Sequence, residues 1–155
     1  MSLAEEKTIE TLQKEANSLF DRGEYNQLLP LCEAIIRQDP TNLDALNLLG
    51  ITYFLLEDLD NAKLYLGNAL KGSPKNPILW NNLGQAHALE ENCADARRCY
   101  QEAIALEPSN PATHQALGNL WVQEGNFDKA ISSFYRASLF RPKDTSILYN
   151  YGVAQ

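Results

Sequence analysis

A repeat of 34 residues runs through most of this sequence and constrains its fold more than any other feature. Four prolines share this spacing, namely Pro40, Pro74, Pro108 and Pro142. Four glycines share it too, namely Gly50, Gly84, Gly118 and Gly152. Two alanine series keep the same period, Ala62, Ala96 and Ala130 and then Ala69, Ala103 and Ala137. Registered series of this kind indicate a tandem array of one structural unit, because each unit must pack against a copy of itself.

Each unit carries two apolar stripes with the spacing of a helix. In the third unit the first stripe is Trp80, Leu83, Gly84 and His87, at positions i, i+3, i+4 and i+7. In the fourth unit the second stripe is Phe127, Ala130, Ile131, Phe134 and Ala137. All members of a stripe are expected to pack into the core. The pattern therefore predicts two helices for each unit.

The segments between the two stripes are typical of turns. Asp58, Asn92 and Asn126 precede the second helix of their units, and we predict that each is its N-cap. Prolines follow the second helix and end it, since proline lacks the N–H that a helix interior requires. Each unit is therefore predicted to be a helix-turn-helix hairpin.

These residues resemble the tetratricopeptide repeat, whose pattern is W-x2-L-G-x2-Y, then A-x3-F, then P. The match in the third unit is Trp80, Leu83, Gly84, Ala96, Tyr100 and Pro108, with His87 in place of the tyrosine. The resemblance implies an all-α fold, a right-handed α-α superhelix of antiparallel helix pairs. The expected parts are a leader with the start of the first helix at 1–8, a divergent repeat at 9–42, repeats at 43–76, 77–110 and 111–144, and the first helix of a fifth repeat at 145–155.

Composition excludes several classes of function. The formal net charge of −7 removes the electrostatic basis for binding nucleic acid. No apolar run is long enough for membrane insertion. The three cysteines cannot all pair and show no close CxxC spacing, which favours a reducing compartment, with the cytoplasm as the expected location.

Residues that carry chemistry are few. The only histidines, His87 and His114, fall on the packed stripe, where we expect core residues rather than bases or ligands. The sequence has no glycine-rich phosphate loop, no HExxH and no GxSxG. We therefore expect no catalytic residue, no cofactor and no metal ligand in this segment.

The resemblance implies a binding surface instead. In the tetratricopeptide family the first helices of successive units line a concave groove that holds extended peptides or partner helices. The candidate contact residues on that face are Gln13, Asn17, Asn47, Ile51, Phe54, Ile78, Asn81, Asn82, Gln85, Leu89, Gln115, Asn119 and Asn150. Carboxamides both donate and accept, so they can pair with a peptide backbone regardless of its sequence. The competing interpretation is that these amides only solubilise a helix face.

The resemblance also narrows the class of peptide. Family members that grip acidic chaperone C-termini use a clamp of lysine, asparagine and arginine. The matching positions here are Gln13, Asn17, Leu48, Ile78 and Asn82, which lack the basic members. A better resemblance is to the asparagine ladder of O-linked N-acetylglucosamine transferases, although the match is partial. Asn82 and Asn150 occupy ladder positions, whereas Lys14, Leu48 and Ala116 do not.

Three functional hypotheses follow. The first is a protein-protein interaction module that binds an extended peptide or partner segment in the amide-rich groove. The second is a scaffold or substrate-recruiting region of a larger enzyme, such as a glycosyltransferase or methyltransferase, because the sequence stops one helix into a fifth unit. The third is a homo-oligomer that associates through this uncovered final helix, driven by Leu148, Tyr149 and Tyr151.

Overall fold

The computed structural model describes residues 8–155, and every regular element in that range is an α-helix. In chain order these are α1 (Ile9–Asp21), α2 (Tyr25–Gln38), α3 (Leu43–Leu55), α4 (Leu59–Gly72), α5 (Pro77–Leu89), α6 (Cys93–Leu106), α7 (Pro111–Gln123), α8 (Phe127–Phe140) and α9 (Thr145–Ala154). Corresponding helices of successive pairs begin 34 residues apart from α1 to α9. The predicted all-α fold of helix pairs is therefore confirmed. The expected leader lies, apart from Thr8, outside the described residues.

Local hydrogen bonds fix where the second helices start. The side chain of Asp58 accepts a bond from the backbone N–H of Asn61, and Asn92 and Asn126 do the same for the residues three positions on. Each cap satisfies one backbone donor that the first turn leaves unpaired, which contributes about 1 kcal/mol. The three predicted N-caps are confirmed.

The first helices are capped in the same way. Asn76 and Asn110 accept from backbone N–H groups at the start of α5 and α7, and a proline occupies the first turn of each of these helices. Proline is well placed there because its missing N–H has no partner in the helix. Asparagine followed by proline therefore begins the hairpins of the third and fourth repeats.

Glycine allows the two helices of a hairpin to approach closely. A Cβ atom built at Gly84 would lie 2.6 Å from Cε1 of Tyr100, and one at Gly118 would lie 2.5 Å from Cε1 of Phe134. Tyr100 and Phe134 are themselves buried. The repeated glycine and the repeated aromatic residue therefore form one contact, in which the ring fills the space that a Cβ would need.

The chain divides into two compact units, one up to Pro74 and the other Lys75–Gln155. In the first unit, helices α1, α2 and α3 contribute the core of Leu12, Ala16, Leu19, Leu28, Cys32, Ile35, Ala45, Leu48 and Leu49. The second unit has smaller clusters, one around Tyr100 and Leu120 and one around Phe134 and Ala154. Within residues 8–155, no helix is both long and apolar enough to cross a bilayer.

One packing prediction is wrong. Phe127 belongs to the second apolar stripe of its unit by spacing, yet 54% of its surface is exposed. Phe127 is the first residue of α8 and lies at the edge of the core. Ala130, Phe134 and Ala137, further along the same helix, are buried. Phe127 is therefore available for other contacts.

Candidate functional site

In the first unit the candidate residues lie on α1 and α3, which contact each other. The side-chain Nε2 of Gln13 donates to Oδ1 of Asn17 over 3.3 Å. Asn47, Ile51 and Phe54 are half-buried along α3. This unit therefore presents amides from α1 and a mixed polar and apolar surface from α3.

In the second unit α5 presents two exposed apolar residues, Ile78 and Leu89, with three half-buried amides between them. These amides belong to Asn81, Asn82 and Gln85. The Oδ1 atom of Asn81 is buried and has no hydrogen-bond partner among residues 8–155. Because water cannot reach this atom, Asn81 is less accessible for ligand contact than the sequence suggests.

Two side-chain hydrogen bonds join α7 to α9. Nε2 of Gln115 donates to Oγ of Ser146 over 3.2 Å, and Nδ2 of Asn150 donates to Oδ1 of Asn119 over 3.5 Å. Both pairs are 31 residues apart in sequence. The structure therefore brings together three of the candidate residues, Gln115, Asn119 and Asn150, in one polar row on neighbouring first helices.

A small cavity of about 110 Å³ adjoins this row. It is lined by Asn119, Val122, Phe127, Phe134, Asn150, Val153 and Ala154. Sequence reasoning missed Val122 and Phe127 as site residues. For Val122 a signal was available, since it lies three residues beyond Asn119 and shares its helix face.

Of the histidines and cysteines, His114, Cys32 and Cys99 are buried, whereas His87 and Cys93 are half-buried. His114 is almost fully buried, and its Nε2 lies 2.8 Å from the backbone oxygen of Pro108. Burial raises the pKa of the Cys32 thiol to about 12 and that of Cys99 to about 11. Thiols with such pKa values are protonated at neutral pH and are poor nucleophiles. In the described part of the chain, no cluster of three or more His, Cys, Asp or Glu side chains is placed to hold a metal ion.

Comparison with solved structures finds the same fold in several repeat proteins. A thermophilic TPR protein from Thermus thermophilus is 24% identical, with a TM-score of 0.84 over 97% of this chain and 82% of its own. A MamA chain from Desulfovibrio magneticus RS-1 is 20% identical, with a TM-score of 0.82 over 91% of this chain and 80% of its own. YrrB, described as a TPR protein with an unusual peptide-binding site, is 24% identical, with a TM-score of 0.75 over 93% of this chain and 74% of its own.

Sequence comparison identifies the family. No curated protein sequence matches the chain. Two tetratricopeptide repeat models do match it, one over residues 31–63 and the other over residues 90–147. Together with the nine described helices and the structural likenesses, these matches lead to one conclusion. The chain belongs to the tetratricopeptide repeat family.

Proposed function

We propose that this protein binds an extended peptide or partner segment against the amide-bearing faces of its first helices. Tetratricopeptide repeat domains mediate protein and peptide binding and are typically non-catalytic. The peptide-binding site of YrrB, a protein of the same fold, supports the proposal. We take the binding units to be the repeats at 9–42, 43–76, 77–110 and 111–144 and the helix at 145–155.

The polar row on α7 and α9 carries this proposal. A carboxamide has two N–H donors and an oxygen that accepts two bonds. The bonds from Gln115 to Ser146 and from Asn150 to Asn119 each use one donor of the amide. The remaining groups can pair with the N–H and C=O groups of an extended peptide, while the existing bonds hold the amides in a fixed orientation.

The adjoining cavity supports a preference among peptides. Val122, Phe127 and Val153 give it an apolar wall, and about 110 Å³ is suited to one aliphatic side chain. The positions that match the basic clamp of other family members carry no lysine or arginine. We therefore expect a peptide with a valine, leucine or isoleucine beside the amide row, and not an acidic tail.

A displayed library of random ten-residue peptides tests the proposal. Selection on the wild-type protein is expected to enrich peptides with an aliphatic residue. The variant Gln115→Ala/Asn119→Ala should bind them about tenfold or more weakly, since each lost hydrogen bond costs on the order of 1 kcal/mol. The matched control Gln101→Ala removes an exposed amide from α6 and should leave the affinity unchanged. Enriched peptides that bind the α7 variant as tightly as wild type would overturn the proposal.

Self-association is a second candidate, favoured by the exposure of α9. Leu148, Tyr149 and Val153 expose 45%, 70% and 67% of their surfaces. Tyr151, which the sequence also suggested for this contact, is half-buried and packs against the cluster around Phe134. An apolar patch of this kind on a protein surface is typical of an interface. Light scattering over a concentration series should then show dimers that Leu148→Ser/Tyr149→Ser abolishes and that the control Leu64→Ser on α4 retains. A protein that stays monomeric at every concentration would exclude this candidate.

A further inference from the structure

A second cavity lies between α6, α7 and α8, away from the amide row. Its volume is about 200 Å³, and it is lined by Ile104, His114, Leu117, Trp121, Lys129, Ser132, Ser133 and Arg136. On α7 it uses His114, Leu117 and Trp121, which lie roughly opposite Gln115 and Asn119 around the helix, since successive residues turn by about 100°. The two surfaces are therefore separate.

The wall of this cavity on α8 is a single stripe of polar residues. Lys129, Ser132, Ser133 and Arg136 fall at i, i+3, i+4 and i+7. The hydroxyl groups of Ser132 and Ser133 donate to the backbone oxygens of Asp128 and Lys129, over 3.1 Å and 2.9 Å. Both serines are thus folded against their own helix, and they leave open space between a cation at each end of the stripe.

The two cations have no counter-ion in the described part of the chain. Among residues 8–155, neither Lys129 nor Arg136 forms a salt bridge, and no carboxylate lines the cavity. Lys129 instead places Nζ 4.5 Å from the centroid of the Trp121 ring. Arg97 also lies over this ring, at 4.7 Å, but it is paired with Glu124. Two unneutralised positive charges beside an apolar wall favour an anion from solution.

The repeats themselves show that the fold does not require these cations. At the equivalent positions, 34 residues earlier, the third repeat has Asp95 and Glu102. One repeat earlier still, the second repeat has Asn61 and Asn68. The same helix therefore forms with acidic or neutral residues at these positions. Of the second, third and fourth repeats, only the fourth has a lysine and an arginine there.

We propose that this cavity binds a small organic phosphate, with Lys129 and Arg136 on the phosphate group and Ile104, Leu117 and Trp121 around its apolar part. Two cations match the charge of a phosphate monoester, which is about −1.5 to −2 at neutral pH, better than the single charge of a carboxylate. Arginine adds the fork of donors that pairs with two phosphate oxygens at once. The cavity is smaller than the sites of roughly 300–1,000 Å³ that hold drug-sized ligands, so the ligand is small.

An NMR titration with phenyl phosphate at low salt tests this site. The chain has two tryptophans, Trp80 and Trp121, so the two indole N–H signals provide a reporter and an internal reference. We expect phenyl phosphate to shift the Trp121 signal saturably and to leave the Trp80 signal in place. The affinity should fall as salt is added, because exposed charges are screened.

In two variants, Lys129 and Arg136 are replaced by the residues at the equivalent positions of the neighbouring repeats. Lys129→Asp/Arg136→Glu introduces the pair of the third repeat, and Lys129→Asn/Arg136→Asn introduces that of the second. Both variants should bind phenyl phosphate at least tenfold more weakly than wild type, and their circular dichroism should remain that of a helical protein. The control Arg98→Asn/Arg141→Asn removes two exposed cations of the same unit that pair with Asp95 and Asp144, and its affinity should stay within twofold of wild type.

Three results would overturn the proposal. The first is the absence of a saturable shift at Trp121. The second is an affinity in the folded Asn/Asn variant equal to that of wild type. The third is equal affinity for benzoate and phenyl phosphate, which would show that the site does not select a phosphate.

Discussion

The third and fourth repeats, α5–α6 and α7–α8, have the same framework and different surfaces. In both, an asparagine caps the first helix, proline opens it, and a glycine faces a buried aromatic ring. On the second helix, Asp95 and Glu102 of one repeat correspond to Lys129 and Arg136 of the other. The positions that the two repeats share therefore build the hairpin, whereas positions such as 95 and 129 give each hairpin a different surface.

The turns of these two repeats differ as well. Glu91 and Gly125 occupy the same place between their helices, with φ values of 60° and 71°. Positive φ is the left-handed region, which glycine enters freely and glutamate enters at a cost. One framework thus tolerates a strained residue when the helices on both sides hold the turn in place.

The largest change in the free energy of unfolding is expected from removing the aromatic ring that faces Gly118. Phe134→Ala leaves a cavity at the centre of α7–α8 and should lower the free energy of unfolding by about 3–5 kcal/mol. Leu139→Ala on the exposed side of the same helix should cost less than about 1 kcal/mol. Urea unfolding of the two variants measures the difference, and equal losses would contradict the assigned packing.

Smaller changes in stability, opposite in sign, are expected when two of the glycines are replaced by alanine. Gly118→Ala would place its Cβ 2.5 Å from Phe134, and the resulting overpacking should cost about 1–3 kcal/mol. Gly152→Ala meets nothing within 4 Å, so it should stabilise α9 by about 0.5–1 kcal/mol, because alanine is the better helix former. Thermal unfolding of both variants should therefore shift in opposite directions, and a stabilising Gly118→Ala would refute the close contact.

The smallest change in stability is expected from substitutions in the turns between the two helices of a hairpin. Glu91→Gly relieves left-handed strain and should raise the stability by up to about 1 kcal/mol, whereas Gly125→Ala introduces that strain and should lower it by about the same amount. Differential scanning calorimetry resolves shifts of this size. Two variants that shift in the same direction would show that the turns are not equivalent.

The sequence predicts the helix hairpins well because the interactions that build them are short in sequence and recur in each repeat. Asn92 and Asn126 cap helices through bonds to residues three positions away, so spacing alone identifies them. Gly84 and Gly118 are recognisable by their period, although the ring that each one faces becomes clear only in three dimensions.

The candidate sites are harder to predict because they depend on neighbours that are distant in sequence. Resemblance points to Gln115 and Asn119, yet their partners on α9 lie 31 residues away. Phe127 follows the apolar stripe, but its burial depends on where the core begins along α8. The phosphate cavity needs Trp121 from α7 beside Lys129 from α8, and no sequence motif marks this pair.

The proposed function requires that amides on the first helices, including the one that recurs as Gln13, Asn47, Asn81 and Gln115, contact the bound partner. An NMR titration with a peptide selected on the wild-type protein tests it through the side-chain amide signals. We predict that the signals of Gln115, Asn119 and Asn150 shift together and saturate at one affinity, while the signal of Gln101 on α6 stays in place. Shifts that centre on α6 and α8 and leave Gln115, Asn119 and Asn150 unmoved would contradict the claim.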